Sequence, residues 1–371
     1  MQIAKITKIT PIGKHKSMDI TINNKHHLFF ANGIATSNSH AVSYAMTTYS
    51  TAYAKTHFSH RFYRSYLSHA KDKMKPLEEI DRLVSDAKQN DIYVCCPDLC
   101  LKNKDFEIHD HYIYFGIGNI KGIGEKVADK IIELIPEDIC SMSWTAILFD
   151  FLLKLNKSAA KAIISTGGLD FTKVSRKKML YQHDCCLKLK PREVEYIRSI
   201  EDYSSSSVEE LVLHLSSCQT GKGKPVSNSR RLNSVKSISH ILNSPPFDLG
   251  DKVEEIVAWE GSLLGTNITC SRFDTINKNG HETDCGDFDQ KYKNVHTVLG
   301  QVKRIKNVLT KNGEEMAFCS LSDDSGEIEN VVIFPKVWDQ YGPILSHLEI
   351  LRFIGIKKED SFIINKVEEI H

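Results

Sequence analysis

Phe115-Gly-Ile-Gly-Asn-Ile-Lys-Gly-Ile-Gly-Glu-Lys-Val-Ala-Asp-Lys-Ile-Ile-Glu133 is the stretch that decides how the middle of this chain folds. Gly122-Ile123-Gly124 separates Ile117 and Ile120 from a helical pattern carrying Val127, Ile131 and Ile132, so the segment reads as a helix-hairpin-helix. Glycine lacks a Cβ, which lets the hairpin backbone approach a phosphate and offer its N–H groups. Lys121, Lys126 and Lys130 add positive charge without reading bases. The expected backbone contacts to a nucleic acid are therefore Lys121, Gly122, Gly124, Lys126 and Lys130.

Working outward, a β-hairpin is expected at about residues 106–115, behind the extended passage Asp91-Ile-Tyr-Val-Cys-Cys-Pro-Asp98. Before it, Val42, Ala45, Met46, Tyr49, Ala52 and Tyr53 recur at helical spacing and predict one buried stripe, with Ser39 as N-cap. Two further helices are expected at 60–69 and 77–90. After the hairpin, residues 148–155, 156–165 and a Gly-Gly-Leu-Asp-Phe end at Phe171 form a helical extension. From 176 to 292 the pattern fades into a variable linker, with loops at 204–207 and 221–231.

From about Val295 strands recur: residues 296–305, 316–321, 328–334, 351–356 and 362–367, with a helix near 338–345. Five strands with a helix between the third and fourth describe an OB-fold β-barrel. Lys303, Arg304, Lys306 and Lys311 with Phe318 are the expected strand-binding groove.

The front of the chain has period two. Residues 3–9, 18–22 and 26–30 read as short strands, followed by Ala31-Asn-Gly-Ile-Ala-Thr-Ser-Asn-Ser39. The order Asp19-Ile-Thr-Ile, turn, His26-His27-Leu-Phe-Phe-Ala-Asn-Gly-Ile, Asn38-Ser39 resembles the C-terminal splicing blocks of inteins over residues 1–39. That resemblance implies a small all-β fragment in which the Ser39 hydroxyl takes over an acyl group. Asn38 then cyclises through its side-chain amide to release the segment. Both steps need an acid/base, His26 or His27, with Asp19 in the same constellation. Ser37 stands where many inteins carry a histidine. The N-terminal blocks of the family are not in this sequence, so the expectation is a split intein working with a partner chain.

Ser39-His40-Ala41-Val42-Ser43-Tyr44 continues a motif, Asn-Lys-Ser-His-Ala-x-x-Tyr, of the fingers of bacterial DNA polymerase III α subunits. The hairpin frame, residues 253–265 and the C-terminal barrel resemble the same family, and the resemblance implies a helix at 253–265 with Trp259, Leu263 and Leu264 in a core. The two resemblances meet at the bond between Asn38 and Ser39. Together they imply a multidomain chain: 1–38 the intein fragment, 39–105 a fingers segment and 106–137 the hairpin and helix-hairpin-helix. Residues 138–175 would follow as the helical extension, 176–292 as the linker and 293–371 as the OB-fold. They also imply that Ser39 and His40 lie near an incoming nucleotide, and that primer-template DNA and single-stranded template are the partners. The metal-bound carboxylates of the palm and their Mg2+ would reside in the N-terminal half, with no cofactor in this chain. The other expectation is a stand-alone DNA-binding accessory protein with an inert intein remnant.

Composition narrows the class without choosing within it. The chain has 371 residues, with 48 Lys/Arg against 47 Asp/Glu and a net charge of +1, so attraction to nucleic acid must come from local clusters. Ten cysteines with no paired CxxC units fit a reducing cytoplasm and predict neither a disulfide framework nor a metal site. No apolar run reaches the roughly 20 residues that span a bilayer.

Overall fold

The computed structural model describes residues 28–31, 34–37, 40–276, 282–290, 295–345 and 350–370. Asp19, His26, His27, Asn38 and Ser39, together with the first two expected strands, lie outside the described residues. The chain divides into two units, Met1–Phe62 and Tyr63–His371, and α2 (Ser59–Ser68) carries the boundary between them.

In the first unit β1 (Leu28–Ala31) and β2 (Ile34–Ser37) pair antiparallel, from Leu28↔Ser37 to Ala31↔Ile34. Helix α1 (His40–His57) follows. The expected buried stripe is corrected: Tyr44, Met46 and Tyr49 are about two-thirds exposed and Tyr53 nearly half. The spacing is amphipathic as expected, but spacing only defines a face. No described element of this unit packs over that one.

The second unit begins with the end of α2 and with α3 (Pro76–Gln89), which starts on a proline whose missing N–H would have no helical partner anyway. Tyr63 and Leu67 bury against Ile80, Leu83 and Ala87, and the Tyr63 hydroxyl donates to Asp86 Oδ2 at 2.8 Å. A small sheet then orders β3 (Val94–Cys95), β5 (Tyr112–Tyr114) and β4 (Glu107–His109), with β3 parallel and β4 antiparallel to β5. Asp110 and His111, at φ +47° and +69°, form the two-residue turn that suits the twist of a hairpin.

Beyond the sheet come α4 (Glu125–Leu134), α5 (Trp144–Asp150), α6 (Lys157–Ser165), α7 (Arg176–Cys186), α8 (Pro191–Arg198), α9 (Val208–Ser217), α10 (Ser229–Asn243) and α11 (Val253–Leu263). The stretch expected to be a linker is thus mostly packed helix, because its charges pair inward. Glu193 is buried and takes both Arg231 Nε, at 2.7 Å, and Nη2, at 2.5 Å. Arg231, expected in a loop, therefore sits in α10 and clamps it to α8. The serine run at 204–207 is likewise not a mobile loop. Ser207 caps α9, accepting from Glu210 N at 3.2 Å while Glu210 accepts from Ser207 N at 2.9 Å. Trp259 and Leu263 are only half-buried; α11 buries Ile256 and Glu260, and Leu264, just past its end, is fully buried as expected.

The C-terminal part is a closed barrel of order β10-β8-β7-β6-β9. Its elements are β6 (Val295–Leu309), β7 (Glu315–Ser322), β8 (Glu327–Ile333), α12 (Pro335–Leu345), β9 (Ile350–Lys358) and β10 (Ser361–Glu368). Ala317, Cys319 and Leu321 alternate inward with Val331, Ile333, Phe353 and Phe362. One long strand serves two neighbours: β6 pairs with β9 through Gln301 and with β7 from Gln301 onward, and a register shift between Val302 and Arg304 supplies the bend. Parallel pairing of β10 with β8 closes the ring. The order of strands and helix is that of an OB-like barrel.

Candidate nucleic-acid interface

The hairpin is built on two close approaches. A Cβ on Gly116 would come within 2.3 Å of the Lys104 carbonyl oxygen, so only glycine lets the chain run alongside residues 104–105. The first helix of the motif is a single 3-10 turn, Ile117–Asn119, anchored by the buried Ile117 and Ile120. Gly122 then adopts φ +91°, which other residues strongly resist, and the space beside it is open. Lys121 N donates to Leu263 O at 2.9 Å and ties the hairpin to the end of α11. Gly124 begins α4 with no side chain capping the helix, and the exposed hairpin precedes those first amides. An uncapped helix start with a partial positive charge is a physical match for phosphate.

Charge around α4 is sorted. Lys71 pairs with Glu125 at 3.2 Å and Lys104 with Asp129 at 2.6 Å, so two of the three acidic residues of α4 are neutralised from outside the motif, and Glu133 near its end has no ion pair among the described residues. Lys121, Lys126 and Lys130 are exposed and carry no ion pair among the described residues. Lys126 and Lys130 are one helical turn apart on the same face.

On the barrel, Lys306 and Phe318 are direct cross-strand partners, and Phe318 also pairs with Val332 on β8. Phe318 alternates with the inward Ala317 and Cys319, so its ring is forced outward and is 44% exposed. Arg304 pairs with Ser320, on the same outer side as Lys306. Lys303 falls at the register shift and Lys311 in the β6–β7 turn. None of these four cations has an ion pair among the described residues. The outer surface of the second and third strands, with the first loop, is where OB-folds take oligonucleotides. Leu309 and Phe334, exposed at the ends of β6 and β8, border this surface; sequence reading passed over them, although the same alternation that selected Phe318 was available. His40 opens α1, and the described residues carry no more about the expected nucleotide site.

What supports the hairpin from behind was not expected from sequence. Arg176 is 2% exposed and bonds Asp170 through Nε at 3.0 Å and Nη2 at 2.6 Å, Glu260 through Nη1 at 2.8 Å, and the Thr269 hydroxyl through Nη2 at 2.9 Å. Glu260, fully buried, also accepts from Ile268 N and Thr269 N. Burial opposes the charge on Arg176, but the Asp170 and Glu260 bonds outweigh it and push its pKa up. Burial likewise raises the Cys96 thiol, which lies 3.4 Å from Glu260 Oε1 and so stays a protonated donor. At Gly167, φ +85°, a Cβ would meet Arg176 Nη2 at 2.4 Å, so the guanidinium occupies space that only a glycine leaves. The signal that could have found this group was the glycine pair 167–168 beside Asp170.

Among the described residues no cluster of three or more His, Cys, Asp or Glu could hold a metal ion, and no helix is long and apolar enough to cross a membrane. Residues 91–179 match a family model described as a helix-hairpin-helix motif. The chain is 26% identical over 335 residues to the DNA polymerase III subunit alpha of Aquifex aeolicus (strain VF5), covering 87% of this chain and 24% of that protein. To the Escherichia coli (strain K12) subunit it is 24% identical over 343 residues, 89% of this chain and 26% of that one. To the Treponema pallidum (strain Nichols) subunit it is 23% identical over 351 residues, with coverages of 91% and 27%. The chain is thus similar, through most of its own length, to DNA polymerase III alpha subunits of which it spans about a quarter.

Proposed function

We propose that this chain is the C-terminal part of a replicative DNA polymerase of the III alpha type, working in the cytoplasm as the portion that holds DNA. The observation that carries the proposal is the lysine set Lys121, Lys126 and Lys130, without ion pairs among the described residues, around a glycine hairpin beside which Glu125 and Asp129 are neutralised by Lys71 and Lys104. Such a hairpin grips duplex phosphates whatever the sequence, because backbone N–H groups and lysines read no base edges. The barrel face at Lys303, Arg304, Lys306, Lys311 and Phe318 takes the single-stranded template, with a base stacked on Phe318 and phosphates on the cations. Ser39 and His40 then meet the incoming nucleotide, and the palm carboxylates with Mg2+ come from the N-terminal half.

The finer proposal is that residues 1–38 are a splicing segment that joins this chain to that half. The Ser39 hydroxyl attacks the ester or thioester that holds the N-terminal half on the first side chain of the partner's intein segment; that bond breaks as the ester to Ser39 forms, and His26 or His27 passes the hydroxyl proton to the departing side chain. Asn38 cyclises to a succinimide and cleaves the 38–39 bond, and the freed Ser39 amine displaces the ester to leave an amide. The resemblance of residues 19–39 to intein C-terminal blocks supports this step. Mixing the chain with its N-terminal partner should give a ligated product whose junction peptide contains Ser39, and Asn38→Ala should block release of the segment. Retention of residues 1–38 in the active polymerase would end the splicing proposal and leave the DNA-binding one standing. For the latter, Phe318→Ala should weaken binding of oligothymidylate by about tenfold in fluorescence anisotropy, the loss of one stacked base. Unchanged affinity would remove the barrel from the reading.

A further inference from the structure

Between α8 and the turn that joins α9 to α10 lies a cleft that neither of the proposed DNA-contacting surfaces includes. It encloses about 640 Å³, within the range of small-molecule sites. Arg192, Glu195, Tyr196 and Ser199 of α8 line one part of it, and Cys218 and the turn through Lys224 line the rest.

Its walls are fixed. The buried Glu193–Arg231 pair locks α10 to α8. Val226 is fully buried and bridges to Thr220, which closes the base of the turn between α9 and α10. The turn runs through Gly221 at φ +135° and Gly223 at φ +79°, yet a Cβ on either would meet nothing within 4 Å. The glycines therefore serve the path of the backbone and leave the mouth of the cleft open.

The charges in the walls differ from those around them. Arg198, on the same helix as Arg192, pairs with Asp150 at 3.1 Å, and Arg231 pairs with Glu193. Arg192 and Lys224 are exposed with no ion pair among the described residues. Tyr196 of the same lining is held in place: its ring lies parallel to that of His214 with centroids 6.1 Å apart, and its hydroxyl is 3.2 Å from His214 Nε2. Two free cations beside a braced aromatic ring suit an anion joined to a flat, stackable group. Glu195 is the one carboxylate of the lining, so the walls sum to a single positive charge, which matches one phosphate rather than a triphosphate tail.

We propose that this cleft binds one nucleotide unit, its phosphate between Arg192 and Lys224 and its base against Tyr196. The unit belongs either to a single strand or to a free nucleoside monophosphate, which share this chemistry. Lysine acetylation of the full chain, quantified residue by residue by mass spectrometry, tests it with oligothymidylate and thymidine monophosphate as probes. Lys224 should be acetylated about tenfold more slowly with the correct probe, and Arg192→Ala, at an exposed and unpaired position, should abolish that protection. Protection by the oligonucleotide alone assigns a strand; protection by the monophosphate assigns the free nucleotide. Lys224 unprotected by both, or protected equally in Arg192→Ala, overturns the proposal. Lys306 in the same digest reads the barrel face, so the two readings fail separately.

Discussion

The packed helices of α7 to α11 and the hairpin leading into α4 use the same residue types to opposite ends. In the helices, Arg176, Arg198 and Arg231 each meet a carboxylate, and Glu193 and Glu260 are nearly or fully buried. Around the hairpin Glu125 and Asp129 are paired with lysines from outside the motif, and Lys121, Lys126 and Lys130 have no ion pair among the described residues. Paired, buried charge fixes how elements sit because an unpaired partner would be intolerable in the core. Unpaired, exposed charge does nothing for the fold and is available to a polyanion. The sharpest test is to remove one charge of the first kind. Glu260→Ala takes from the buried Arg176 one of its two carboxylates and orphans the amides of Ile268 and Thr269, and should cost about 3–5 kcal/mol in urea unfolding. If the loss is under about 1 kcal/mol, the level of an exposed pair, the contrast between the regions is void.

A charge of the second kind should behave in reverse. Lys126→Glu with Lys130→Glu should weaken duplex binding by at least about tenfold and flatten its salt dependence, since fewer counterions are released. Stability should stay within about 0.5 kcal/mol, as for surface changes away from structural features. A large loss of stability with little loss of affinity would mean that α4 belongs with the packed helices after all.

The two regions also differed in how much their sequence disclosed. The hairpin was legible because Gly122 and Gly124 are backbone statements, local and nearly independent of context. The barrel was legible because alternation at Met316, Ala317, Phe318 and Cys319 encodes inside and outside directly, although it breaks at the buried Ser320, where the register shifts. Arg176 and Glu260 were not, since they are 84 positions apart and each alone reads as a surface residue. The same holds for Glu193 with Arg231, which is why residues 176–250 passed for a linker. Helix α1 failed for the opposite reason: its apolar spacing was read correctly, but burial needs a second surface. The binding faces were legible as residue types, whereas the cleft at Tyr196 needs three separate segments and has no local signature.

Protonation offers a gentler break in the packed region. His183 is fully buried, and neither ring nitrogen has a hydrogen-bond partner among the described residues. Burial, aided by Lys161 and Lys157 and opposed by Asp184, lowers its pKa to about 4. A histidine depressed in the folded state must be charged in the unfolded chain first, so folding is unaffected above about pH 6.5 and loses stability as pH falls toward 4. The loss should be on the order of 2 kcal/mol across that window. In His183→Met that slope should shrink; an unchanged slope would assign the acid sensitivity to carboxylates such as Glu193 and Asp184, whose pKa values are also lowered.

The smallest expected effect concerns the serine run that looked like a loop. Ser207 satisfies the Glu210 amide at the start of α9, and Glu210 returns the bond to Ser207 N. The backbone bond from Ser207 holds the Glu210 carboxyl below its usual range, as a charged partner of a helix start should be. Ser207→Ala removes half of this reciprocal cap and should cost about 1 kcal/mol in thermal or urea unfolding. Ser205→Ala, two residues earlier in the preceding turn, makes no such cap and should be nearly neutral. If the two substitutions cost the same, the run is ordinary loop and α9 is held by its buried Val208, Leu211 and Leu215 alone.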